Sequence, residues 1–105
     1  MRLADDPRLH ACGLAYMSDV CTIDAISKSY PDAPQGEAWS EVMMGASLDH
    51  AMWFHQPARA DEWVMMELTG HGMIGTRGLA TGPVFDAGGT HVATIAQEGL
   101  LRRRR

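Results

Sequence analysis

At 105 residues the chain has the length of a single domain, and its 46% hydrophobic and 21% charged residues exclude wholesale disorder. A net charge of -4 argues against a nucleic-acid partner, because a polyanion requires a basic surface. No run approaches the roughly 18 apolar residues of a membrane span, and Met1-Arg2-Leu3-Ala4-Asp5-Asp6 is too polar to begin a signal peptide, so a cytoplasmic location without membrane contact is expected.

The first element is a helix over about 6–27. Asp6 before Pro7 is an entry signal, since the carboxylate accepts from orphan amide groups and proline is tolerated at the first helical position. Leu9, Cys12, Tyr16, Val20 and Ile23 recur at spacings of three and four, and Ala11, Leu14, Ala15, Met17 and Ala25 widen the stripe. That width predicts a helix largely enclosed by the rest of the domain. Cys12 and Cys21 then lie about 13 Å apart along the axis, too far to bridge, and are expected as buried thiols.

A loop over about 28–46 follows, marked by Tyr30-Pro31-Asp32-Ala33-Pro34-Gln35-Gly36. Beyond it the period changes from 3.6 to 2, and strands are expected at 47–55, 62–69, 74–85 and 91–101. The turns between them are Gln56-Pro57-Ala58-Arg59-Ala60-Asp61, Gly70-His71-Gly72 and Asp86-Ala87-Gly88-Gly89. Consecutive strands with short connections form an antiparallel meander, so one α+β domain over 1–105 is expected, its sheet curled about the helix. The four arginines from Arg102 to Arg105 read as a solvated, frayed end.

The strand at 47–55 and the run from Ile95 to Arg102 carry polar groups where a plain core strand would alternate with solvent-facing charge, which suggests a polar site cut into the sheet. In a regular strand Ser47 and Asp49 share a face and His50 takes the other, which leaves Asp49 and His50 as structural residues. His50, His55, His71 and His91 match no compact zinc motif, and the glycine pairs follow no phosphate-binding pattern, so neither metal nor cofactor is expected.

Five blocks in order, Ala15-Tyr16-Met17-Ser18-Asp19, Ser47-Leu48-Asp49-His50-Ala51-Met52-Trp53-Phe54-His55, Asp61-Glu62-Trp63, Arg77-Gly78 and Ala96-Gln97-Glu98-Gly99-Leu100-Leu101-Arg102, resemble the C-terminal half of acyl-CoA thioesterase II, the TesB-like double hotdog family. The resemblance runs from about Asp5 to Arg102. It implies a single hotdog fold, a long helix wrapped by a curved antiparallel sheet, and hydrolysis of fatty acyl-CoA to free acid and coenzyme A. It also implies that Asp19, Ser47 and Gln97 hold the attacking water, with Ser47 standing where threonine is common. The chemistry is apt: a carboxylate accepts a water proton, a hydroxyl both donates and accepts, and an amide fixes orientation. Family members often carry Arg and Phe where this chain has Gln56 and Ala58, a loss of a possible phosphate or packing contact. They also carry two hotdogs and one or more strands ahead of the helix. The sheet is therefore expected to lack its first edge strand or strands, and a homodimer or pairing with an N-terminal hotdog half is the expected remedy. Two other readings stay open: a catalytically weak or inactive remnant that binds acyl groups or assembles with partners, and a hydratase using an Asp–His pair.

Overall fold

The computed structural model describes residues 2–29 and 41–104. In it α1 (Pro7–Lys28) is followed by β1 (Met43–Phe54), β2 (Val64–Met66), β3 (Thr69–Ile74), β4 (Arg77–Asp86) and β5 (His91–Arg103). The loop around Pro31 and Pro34 falls outside the described residues. At the helix entry the Asp6 carboxylate accepts from Arg8 N–H at 3.0 Å, satisfying one of the amides the first turn leaves without a partner.

All strand pairings are antiparallel, in the order β1-β5-β4-β2, with β3 pairing β4 further along the same side. The helix lies across one face through a buried row at four-residue spacing: His10, Leu14, Ser18, Thr22 and Ile26. Close approach depends on small residues in the sheet. A Cβ on Gly99 would come within 2.7 Å of Ile23 Cδ1, and one on Gly78 would strike Ile26 Cγ2 of the helix. Apolar side chains gather into two clusters, Ile26, Met43, Ala80 and Leu101 at one end and Val84, Val92, Ala93 and Ile95 at the other.

Several sequence expectations are corrected. The helix is not enclosed: Tyr16 is 75% and Val20 63% exposed, and both Cys12 and Cys21 are exposed free thiols. The physical reason is that one sheet covers one side of a cylinder. The stripe through Leu9, Cys12, Tyr16 and Val20 faces away from it, while the polar Ser18 and Thr22 turn inward because each finds a hydrogen-bond partner there.

Gly70-His71-Gly72 is not a turn but part of β3, where a register shift between Gly70 and Met73 is absorbed by Gly72 at φ 88°. The reversal comes at Gly75, φ 66°, between β3 and β4. Nor is the arginine run frayed where it is described. Arg102 and Arg103 pair with Met44 and Met43, and Arg104 N–H donates to Val42 O at 2.7 Å. Their ladder partners sit in the stretch read as loop, because β1 begins four residues ahead of Ser47. The Asp86–Gly89 turn is present, with Asp86 Oδ1 accepting from Gly88 N–H at 3.0 Å and Thr90 N–H at 2.9 Å and Gly89 at φ 84°.

Candidate active site

Gln97 is the hub of the site. On β5 the odd-numbered residues Ala93, Ile95, Gln97, Gly99 and Leu101 are buried, and Gln97, 1% exposed, is the polar one among them. A buried amide needs partners for both ends. Its Oε1 accepts from the Thr22 hydroxyl of α1. Its Nε2 donates to Asp19 Oδ1 at 2.9 Å and to Ser47 Oγ at 2.7 Å. These three bonds fix which way the amide points: the oxygen faces the buried hydroxyl and the nitrogen faces the two exposed groups.

Asp19, Ser47 and Gln97, from the helix, the first strand and the last strand, are thus brought together. Both acceptor groups keep chemical capacity. Asp19, an exposed residue, is bound to Gln97 through Oδ1, which leaves its second carboxylate oxygen able to accept, and the Ser47 hydroxyl accepts from Gln97 and keeps a proton that it can donate. Asp19 and Ser47 are exposed and Gln97 is not, so a buried neutral amide holds a carboxylate and a hydroxyl side by side at the surface.

The face assignment along β1 is corrected. The register runs Ser47 opposite Gly99, then Asp49 opposite Glu98 and His50 opposite Gln97, with a bulge between Ser47 and Asp49. The extra residue, Leu48, reverses the alternation. Ser47 and His50 therefore face the helix, while Asp49 lies on the opposite face beside Glu98. His50 Nε2 is 2.7 Å from Ser18 Oγ, whose hydroxyl donates to Ala15 O at 2.8 Å. This contact ties the helix residue next to Asp19 to the strand residue next to Gln97.

Thr22 is the site residue that sequence reasoning missed. A signal existed: Ser18 and Thr22 form a polar step, four residues apart, in an otherwise apolar region of the helix, with Asp19 between them.

A second polar cluster sits at the N-terminal end of α1. Arg59 grips Asp61 with two bonds, Nε to Oδ1 at 2.9 Å and Nη2 to Oδ2 at 2.8 Å, and reaches Asp5 Oδ1 at 2.6 Å and Leu3 O at 3.0 Å. Leu3 N–H donates to Asp61 Oδ2 at 2.7 Å. The Arg59 guanidinium, then the Leu3 amide, hold the Asp61 carboxyl well below the usual carboxylate range. Buried His10 accepts from Ala60 N–H at Nδ1, 3.0 Å, so its ring proton resides on Nε2 and is donated to Ala4 O at 2.8 Å. Among the described residues no three His, Cys, Asp or Glu side chains are grouped to hold a metal ion.

An antiparallel sheet with one long helix across it, and a polar hub where helix and sheet meet, define a hotdog domain. Residues 1–101 match the family model described as acyl-CoA thioesterase C-terminal domain, and the chain belongs to that family. It is 37% identical over 98 residues to human acyl-coenzyme A thioesterase 8, covering 92% of this chain and 28% of that protein. Acyl-CoA thioesterase 2 of Haemophilus influenzae is 34% identical over 99 residues, covering 92% and 32%. The crystal structure of acyl-CoA thioesterase II TesB2 from Mycobacterium marinum superposes with a TM-score of 0.83 at 41% identity, covering 99% of this chain and 38% of that one. The chain thus spans about a third of the length of these relatives.

Proposed function

We propose that this chain is an acyl-CoA thioester hydrolase domain in which Asp19, Ser47 and Gln97 hold the attacking water. The observation that carries the reading is the convergence of Asp19 from α1 and Ser47 from β1 on one buried amide, that of Gln97 on β5. A thioester carbonyl is already electrophilic, so catalysis requires an oriented water, a proton acceptor and a donor for the developing oxyanion. Both Gln97 N–H groups are engaged, so this amide acts as the orienting group. Asp19 Oδ2 is left to draw the proton from water, and the Ser47 hydroxyl to donate to the water or to the carbonyl oxygen. Water oxygen bonds to the carbonyl carbon as its proton passes to Asp19. Collapse of the tetrahedral intermediate breaks the carbon–sulfur bond, and the proton leaves with the thiol of coenzyme A.

The substrate proposed is a fatty acyl-CoA, and the working form pairs this domain with a second hotdog, either another copy or a separate N-terminal half. Two features support pairing: β1 borders only β5 among the described residues, and Asp19 and Ser47 stand exposed on the open side of the cleft. The same openness favours the alternative of a hotdog that binds acyl groups or assembles without turning over. Thiol release from medium and long acyl-CoA, with mass in solution measured alongside, separates the two. Release abolished by Asp19→Asn supports hydrolysis. Absence of release from the chain alone and from the chain mixed with an N-terminal hotdog half overturns it.

A further inference from the structure

Gln97 has to aim two N–H groups at acceptors on two different elements, Asp19 Oδ1 on α1 and Ser47 Oγ on β1. An amide is planar, so both bonds hold together at only one setting of its last torsion. That torsion is broad and roughly two-fold in glutamine, and the side chain has no narrow well of its own to fix the plane. Neither acceptor is a rigid support, because Asp19 and Ser47 are exposed side chains. The constraint comes from the oxygen end of the amide.

Thr22 holds that end. It is fully buried, its branched Cβ restricts χ1, and its hydroxyl has one proton with two acceptors in reach. The carbonyl oxygen of Asp19, three residues back, is 3.4 Å away, whereas Gln97 Oε1 lies closer and takes the proton. Residues three apart are neighbours on a helix surface, so Asp19 and Thr22 let one turn of α1 grip the amide at both ends. Ser18, the other hydroxyl of the buried row, has its partners elsewhere, in Ala15 O, His50 Nε2 and Met52 Sδ.

We propose that Thr22 is a positioning residue that acts through Gln97 to keep Nε2 trained on Asp19 and Ser47, an inference that rests on the hydrolase reading above. Buried beneath the amide, it contributes orientation and touches no reacting atom. Its bond to Oε1 also polarises the amide and strengthens both N–H donors. Without the hydroxyl, buried Oε1 loses its donor, the amide turns to regain one, and the N–H aimed at Ser47 is carried off line.

The test compares two variants of the full chain: Thr22→Val, which keeps the branched shape and removes the hydroxyl, and Thr22→Ser, which keeps the hydroxyl and removes the methyl. Thiol release is measured with the chain alone and mixed with an N-terminal hotdog half. Thr22→Val is expected to lower kcat about tenfold at constant KM, and Thr22→Ser to stay within about threefold of wild type. Side-chain amide NMR reads the anchoring directly. The two Gln97 Nε2 protons should give the same sharp, separated resonances in wild type and Thr22→Ser, and shifted or broadened ones in Thr22→Val. Thr22→Ala, with the same expected loss, decides the matter if the valine variant does not fold. Wild-type kcat in a folded variant without the hydroxyl, equal loss in Thr22→Ser, a loss carried by KM, or Gln97 resonances indifferent to the hydroxyl overturns the proposal. The two readings fail separately: Gln97 resonances that follow the hydroxyl in a chain that releases no thiol sink only hydrolysis, and thiol release unchanged by Thr22→Val sinks only the positioning role.

Discussion

The two polar clusters flanking the buried row of α1 are built on opposite plans. At the N-terminal end, Arg59, Asp61, Asp5 and Leu3 close on one another, and both Asp61 oxygens are taken by partners from this same cluster. At the hub, a neutral Gln97 holds Asp19 by one oxygen and Ser47 through a bond that its hydroxyl accepts, which leaves the second carboxylate oxygen and the serine proton able to take a further partner. Saturation of hydrogen-bond capacity marks the first as structural, a clasp between the leading segment and the 59–62 loop. Residual capacity on a preorganised support is what favours the second as the proposed place for chemistry.

The sharpest way to break this contrast is Asp19→Asn. The amide keeps an oxygen to accept from Gln97, so the geometry survives while the proton acceptor is lost. A rate loss of about 10² to 10⁴ is expected in thiol release, with the melting temperature unchanged. Loss no larger than that of Ser47→Ala would remove Asp19 from the role of base. Gln97→Ala should act on both sides of the comparison. It strips the orienting group and leaves the buried Thr22 hydroxyl with only its longer contact to Asp19 O at 3.4 Å, a destabilisation of about 1–3 kcal/mol readable by denaturant unfolding.

The clasp should respond to acid. Asp61 is held below its ordinary range, first by the Arg59 hydrogen bonds. A depressed carboxyl contributes stability that is complete above its unfolded value, about 3.9, and is lost as pH falls from there through its folded value. Asp61→Asn is therefore expected to lower stability at neutral pH and to flatten the decline below about pH 4, with the difference from wild type narrowing in acid. An unchanged acid profile in urea titrations would show that the clasp does not carry this linkage. Thiol release per folded molecule should be untouched.

The two clusters also differed in how readable they were. The proximity of Asp19, Ser47 and Gln97 was legible because residue type and order resemble a family pattern. Thr22 was not, since a threonine within a helix is ordinary until the strand opposite is known. Nor was the reversal of Asp49 and His50: a bulge is a property of the pairing between β1 and β5, and a strand read alone keeps strict alternation. The clasp was invisible for the same reason, because Arg59 and Asp5 lie 54 residues apart. The inward face of α1 was misjudged because hydrophobic periodicity weighs side chains by type, whereas the sheet selected the row whose polar members it could satisfy.

The smallest expected effect probes how tightly the hub holds its hydroxyl. Ser47 sits at the bulge with an exposed side chain, and a serine hydroxyl has three staggered positions at similar cost, only some of which face Gln97 Nε2. Threonine adds a methyl that restricts χ1, so Ser47→Thr narrows the hydroxyl to fewer orientations without altering its donor or acceptor capacity. The open surface around position 47 leaves room for that methyl. A gain in kcat of about two- to threefold at constant KM, within the roughly 0.5–1.5 kcal/mol that separates favoured from strained rotamers, is the expected result. A fall in kcat with KM unchanged would mean that the bulge already orients the serine and that the methyl displaces it. In that case the first strand contributes a backbone-fixed group, and the hub is as rigid at Ser47 as it is at Gln97.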